Sequence, residues 1–463
     1  MKVWIRRIIA VVLVLALLLS LQELVVPKYA SSLYEGSFTS EYYDETREHQ
    51  VLMVGDCELY ENFDPITLWN SYGVTSYIRG NAQQLAWQSY YLLKEALEKE
   101  TPEVVVFSVL ALKYNEPQKE EYNRLTLDQM KWSKNKVDAI RASMMEDEKF
   151  IDYAAPLFRY HARIAQLTGE DLEYFGKRVG HTISGYYMRI DKAPYVPGTW
   201  GEENDVGDYT ARMKKETEDP AEEPEAEDEG WSAEADEEAE DDEGWSAEAD
   251  DETEDDEGWS AEADEEAEDD EGWSAEADGE VEDEGWSAEA DNESEEEEDW
   301  STEADGESGT EENFEEDTQI EPLGDNAMYY LDQIRLLCES KGVKLLLVKA
   351  PSVSPVWYDT WEEQIVTYAN QYGLDYINYL NLVDEIGIDF AEDTYDEGLH
   401  MNYSGAVKCA DYLGSYLKQN YHLEDMHTDE ELSAIWEKKA RFQQEQIKKQ
   451  ETELKKYGKI VSK

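Results

Sequence analysis

Apolar residues fall into two alternating rhythms along this chain. Val51–Val54 is a short apolar run ending in the turn Gly55-Asp56-Cys57, which is the pattern of a buried strand. Val74–Ile78, β-branched and aromatic, predicts a second strand. Gly80-Asn81 follows as a turn, with Asn81 placed to cap the next helix. Leu85, Leu92, Leu93, Ala96 and Leu97 then recur at helical spacing to about Glu100, and Pro102 stops that helix. Val104–Leu110 is apolar on both faces, as a central parallel strand is. Residues 125–190 read as mostly helical.

The alternation resumes with a helix through Leu331, Ile334, Leu337 and Cys338, then a strand over Val343–Val348. A helix over about Thr360–Tyr372 and a short strand over Tyr376–Tyr379 come next. A last apolar helix face is formed by Ala406, Val407, Ala410, Leu413 and Leu417. Five strands interleaved with helices predict an α/β fold, a three-layer α/β/α arrangement around a roughly five-stranded parallel sheet.

Composition changes this picture in one place. The chain has 463 residues and a formal charge of −71, but residues 216–320 hold 55 Asp and Glu and no Lys or Arg. The rest carries 56 acidic residues against 40 basic ones. The acidic stretch repeats Gly-Trp-Ser-Ala-Glu-Ala-Asp, with Trp231, Trp245, Trp259, Trp273, Trp286 and Trp300 at intervals of 14 or 13. Such acid density buries too little apolar surface to offset chain entropy, so disorder is expected. Loop-closure cost grows only logarithmically, so the flanking parts, 31–215 and 321–425, are expected to form one domain around this insert. Residues 426–463 read as a basic C-terminal helix, with nine Lys and Arg against four Glu from Trp436 onward.

At the N-terminus, Arg6-Arg7 precede an apolar stretch from Ile8 to Leu21. An uncleaved signal-anchor over residues 1–30 is expected, with the N-terminus in the cytoplasm and the main domain outside the cell membrane. A cleaved signal peptide is the alternative.

The candidate chemistry lies at two motifs. Cys57 closes the first predicted strand, where open α/β sheets bind ligands. A thiol there, lowered in pKa by a helix N-terminus and a nearby imidazolium, suits nucleophilic catalysis; a buried structural cysteine is the plainer reading. The second motif is Asp396-Glu-Gly-Leu-His-Met-Asn402. His400 is the expected base, with Asp396 or Glu397 orienting it. Gly80, Asn81 and Asn115 are candidate oxyanion donors. No nucleotide-binding glycine loop, HExxH motif or histidine cluster occurs, so no cofactor or metal is expected. The acidity argues against a nucleic-acid partner.

On Gly55–Asn62, Tyr77–Gln84, Val343–Ser352 and Asp396–Gly405 the chain resembles the SGNH/GDSL hydrolase superfamily, and within it the membrane-anchored SGNH-like proteins of Firmicutes associated with polysaccharide or teichoic-acid acylation. The resemblance implies a nucleophile at Cys57, a base at His400, and oxyanion donors from the nucleophile's own N–H, Gly80 and an asparagine. The chain departs from the family in having cysteine where serine is usual. Ser108–Asn115 also stands where a Gly-x-Asn-Asp block is usual. The family spacing points to Glu397 as the acid, and the run Asp393-Thr-Tyr-Asp396 points to Asp396. The function implied is an esterase or O-acyltransferase acting on a cell-envelope polysaccharide or other acyl ester, with a membrane-bound O-acyltransferase as partner. The alternative is a non-catalytic envelope protein that binds glycan or such a partner.

Overall fold

The computed structural model describes residues 2–31, 33–196 and 320–461. The expected disorder and the Trp repeats of the acidic insert lie outside the described residues.

The apolar runs form five strands: β1 Val51–Gly55, β2 Ser76–Gly80, β3 Val104–Ser108, β4 Lys344–Lys349 and β5 Asp375–Asn378. All pair in parallel, in the order β2-β1-β3-β4-β5. Alternate side chains enter opposite layers, as the two-residue period of a strand requires. Leu52, Val54, Val105, Phe107, Leu345 and Leu347 face one core. The helices α4 Ala86–Lys99, α6 Asp325–Lys341 and α7 Asp359–Tyr372 bring Leu93, Leu331 and Ile365 to it. Val51, Met53, Val104, Val106, Leu346 and Val348 face the other. There α3 Pro65–Tyr72 and α8 Tyr403–Asn420 supply Leu68, Ala406, Ala410 and Leu413. The three-layer α/β/α arrangement is therefore the one the periodicities predict.

The strand order carries a functional consequence. The chain leaves β1 for β2 on one side and returns to β3 on the other, so neighbouring connections diverge at the carboxyl end of β1. A crevice of this kind is where open α/β sheets take ligands, and Cys57 stands at its mouth.

Several local expectations are corrected. The second strand runs two residues later than Val74–Ile78, so Gly80 ends the strand instead of opening a turn. Asn81 does not cap a helix, since α4 begins at Ala86 with Leu85 before it. Residues 125–190 are helical only in short pieces, including α5 Lys134–Ser143, and no regular helix follows Glu173. Gly185 shows why: at φ +82° it passes so close to the Ile78 carbonyl that a Cβ would lie 1.9 Å from its oxygen. This lets the Ser184 carbonyl accept from the Ile78 N–H at 2.9 Å, a β2 contact that a helix could not make. The expected C-terminal helix is present as α9, Glu430–Tyr457, and it packs on the domain. Its Trp436 is buried and stacks on Trp69 with ring centroids 5.5 Å apart, and its Gln443 donates to Asp64 at 2.7 Å.

Candidate active site

Gly55 allows β1 and β3 to converge beside the site, because a Cβ there would lie 2.5 Å from the Ser108 Cβ. Asp56 is extended and caps the one-turn helix α2, Cys57–Tyr60, by accepting from the Glu58 N–H at 3.3 Å. Ser108 donates to the same carboxylate oxygen at 2.9 Å, which fixes the turn against β3. Cys57 is the first residue of α2 and is half-buried.

His400 arrives from the other end of the chain on a loop held at three points. Asn402 caps α8 by accepting from the Gly405 N–H at 3.3 Å, and donates to the Glu392 carbonyl at 2.8 Å. Asn62 accepts from the Met401 N–H at 2.7 Å and donates to Ser352 at 3.2 Å. Gly398, at φ +95°, packs so closely on Val353 that a Cβ would meet its Cγ2 at 2.5 Å. The loop is thus anchored to the segment after Cys57 and to the loop after β4.

Within it, the Asp396 carboxylate meets His400 twice. Oδ1 accepts from the backbone N–H at 2.7 Å, and Oδ2 lies 2.6 Å from Nδ1. Asp396 is therefore the acid on Nδ1. Glu397 sits at the turn itself, at φ +62°, with its N–H donated to the Ala193 carbonyl at 3.1 Å. With Nδ1 engaged, Nε2 is the imidazole nitrogen left for Cys57, and the thiol and imidazole lie close enough to shift each other's pKa. The structure thus gathers Cys57, His400 and Asp396 into one site.

The proposed oxyanion asparagines are not gathered there. Asn81 is fully buried and spends its side-chain amide on the Glu35 and Leu125 carbonyls, both at 2.9 Å. Asn115 is exposed and accepts from the Asn326 N–H at 2.8 Å at the start of α6. Each amide is committed to holding two segments together. Gly80 does lie beside the site, packed against Tyr60 and the Asp56 carbonyl.

The sequence motifs did not single out Glu61. Its carboxylate lies 3.7 Å from His400 Nδ1 and accepts from the Tyr395 hydroxyl. The Tyr395 ring lies nearly parallel to the imidazole at 6.1 Å. Burial pushes the Glu61 carboxyl up to about 7, against the opposing pull of His400. Desolvation alone would lower the His400 pKa, but the Glu61 and Cys57 charges and the Asp396 hydrogen bond raise it well above the usual value. Burial raises the Cys57 thiol, with the His400 charge and hydrogen bond opposing it. The expected lowering of that pKa does not occur, because burial outweighs the imidazolium and a single helical turn adds little dipole.

Glu58 was also missed. Its carboxylate is wholly buried and paired with Lys349, itself fully buried at the end of β4. Lys349 also donates to the Ala350 carbonyl at 2.7 Å, and Glu58 accepts from the Ala350 N–H at 3.3 Å. One signal was available for both missed acids. Asp56, Glu58, Glu61 and Asn62 crowd a stretch between the apolar Val54 and Phe63, and all four are buried. Among the described residues no group of three or more His, Cys, Asp or Glu is arranged to hold a metal ion.

Comparison with protein families, curated proteins and solved structures finds no match.

Proposed function

We propose that this protein is a thiol-dependent esterase or O-acyltransferase, held at the outer face of a membrane and acting on acyl esters of a cell-envelope glycan. The observation that carries this reading is the gathering of Cys57 beside a His400 that is hydrogen-bonded to Asp396, from residues some 340 positions apart. His400 Nε2 takes the thiol proton as the sulfur adds to the ester carbonyl carbon. The resulting imidazolium returns that proton to the departing alkoxide, leaving an acyl thioester on Cys57. Water or a sugar hydroxyl then adds to the thioester, with His400 accepting its proton and passing it to the leaving sulfur. Asp396 holds the imidazole tautomer through Nδ1. The N–H groups of Cys57 and Gly80 are the proposed oxyanion donors. The membrane assignment is supported by the apolar helix α1, Lys2–Val25, with Arg6 and Arg7 on its cytoplasmic side.

A second reading, a non-catalytic SGNH-like scaffold that binds glycan or a membrane-bound acyltransferase, is favoured by the raised Cys57 pKa and by the commitment of Asn81 and Asn115 elsewhere. The two separate in one experiment. The full chain is incubated with p-nitrophenyl acetate and its intact mass followed. The catalytic reading expects an acetyl adduct on Cys57 that turns over, is absent in Cys57→Ala, and forms about a hundredfold or more slower in His400→Ala. No adduct on the wild-type chain, or equal adduct in Cys57→Ala, refutes it and leaves the scaffold reading.

A further inference from the structure

The base of α1 carries an inference that rests on reading this helix as a membrane span. Residues Val3 to Ser20 of α1 are exposed, and coverage by the rest of the chain begins at Leu21 and is complete at Val25. From Ile8, just past Arg7, to Ser20 is 13 residues, roughly 20 Å of helix at 1.5 Å per residue. A bilayer's hydrocarbon core is about 30 Å thick. The uncovered helix is therefore too short to span it, and the deficit falls where residues 157–173 pack against α1.

That packing is tied to α1 by hydrogen bonds. Short helices at Leu157–Tyr160 and Gly169–Glu173, and the 3-10 turn His161–Gln166 between them, pack on α1. Arg163 donates to the Val25 carbonyl at 2.6 Å and also pairs with Asp171. The Gly176 N–H donates to Glu23 at 3.3 Å, and His181 Nε2 lies 2.7 Å from the Tyr29 carbonyl. The helix cannot lift away from the domain to gain length without breaking these bonds. The same collar presents large apolar side chains outward: Leu172 is 68 % exposed, Phe158 61 %, Ile164 50 % and Phe175 44 %. Four such residues within 18 positions are costly in water and suited to the boundary between headgroups and acyl chains.

We propose that residues 157–175 form a lipid-seated collar, sunk into the outer leaflet around the end of α1, which supplies the hydrophobic thickness the exposed helix lacks. The occupant of this surface is lipid, because the same length deficit that exposes the collar places it at the depth of the acyl chains. The consequence for function is that the globular domain sits directly on the membrane at a fixed height.

The full chain in phosphatidylcholine–phosphatidylglycerol vesicles tests this. In a Cys57→Ala background, where Cys338 and Cys409 are buried, one nitroxide is placed by Phe158→Cys, Ile164→Cys, Leu172→Cys or Phe175→Cys. Leu15→Cys in α1 is the lipid reference and Tyr457→Cys, exposed at the end of α9, the aqueous one. Collision rates with oxygen and with a water-soluble nickel chelate are measured. The collar sites are expected to match Leu15, with nickel collisions reduced about tenfold relative to Tyr457. Collar sites that match Tyr457 while Leu15 stays lipid-embedded overturn the collar and leave the span. Collar sites shielded from both agents show a protein partner, such as a second copy, and overturn the lipid assignment. A Leu15 label exposed to nickel overturns the span and the collar together.

Discussion

The interior of the sheet and its carboxyl edge are built on opposite rules. In the interior, Met53, Val106 and Leu346 pack in one apolar cluster with residues of adjacent strands and the flanking helices. Their placement needs no partner of particular chemistry, only volume and shape. At the carboxyl edge, Asp56, Glu58, Glu61, Asn62 and Lys349 are just as buried, and each is held by a named partner. Burying a charge is costly unless it is paired and hydrogen-bonded. The edge therefore has stability that depends on pairs and on pH, and the interior does not. That is the arrangement expected where a fold gives up stability for chemistry.

The sharpest way to break this contrast is at Glu58 and Lys349. Lys349→Met leaves a buried carboxylate without its cation and is expected to cost about 3–5 kcal/mol in urea unfolding of the full chain. Adding Glu58→Leu makes the edge resemble the interior, and the double variant should regain most of the loss. If the double variant is no more stable than the single one, the pair is not what holds α2 to β4.

A somewhat smaller effect separates edge from interior by pH. The Glu61 carboxyl titrates near 7 in the fold against an ordinary 4.5. A raised carboxyl favours folding below its unfolded pKa, and this contribution is lost as pH rises through about 7. His400, also raised, acts in the same direction, contributing below its unfolded value and less as pH climbs through its folded one. Wild-type stability is thus expected to fall by about 3 kcal/mol from Glu61 alone between pH 4.5 and 8. Glu61→Gln should flatten that slope and move the His400 titration downward, followed by its imidazole proton resonances. An unchanged His400 midpoint in this variant would separate Glu61 from the site.

The smallest effect concerns the His400 loop. Asn402→Ala removes the cap of α8 and the bond to the Glu392 carbonyl, at a cost of about 1–2 kcal/mol. Faster hydrogen exchange should appear in the first turn of α8 and at His400, with the strands unaffected.

The sheet was legible in the sequence because its strands are short, apolar on both faces and separated by helices with an apolar stripe. Strand ends were misplaced by one or two residues where polar residues such as Arg79 and Lys349 belong to strands and are buried. Cys57 and His400 were legible because each lies at an element boundary beside a turn. The choice between Asp396 and Glu397 was not. The four-residue and three-residue spacings are both sterically open, and only the left-handed turn at Glu397 and Gly398 directs Asp396 onto Nδ1. Asn81 and Asn115 show the reverse error: loop asparagines after strands look like donors to a site, yet each is used to tie backbone segments together. Nothing local distinguishes these uses, because an amide's partners come from chain segments distant in sequence.

The sequence by itself determined the alternation of elements, the three layers and the apolar N-terminal helix, since these follow from the periodicity of burial along a local stretch of chain. Only the tertiary structure decided which acid serves His400, that Glu61 crowds it, that Lys349 neutralises Glu58, and that burial raises the Cys57 thiol. Those are properties of distances between segments far apart in sequence, and electrostatic energy in a buried site depends on distance and surroundings, neither of which a linear pattern contains.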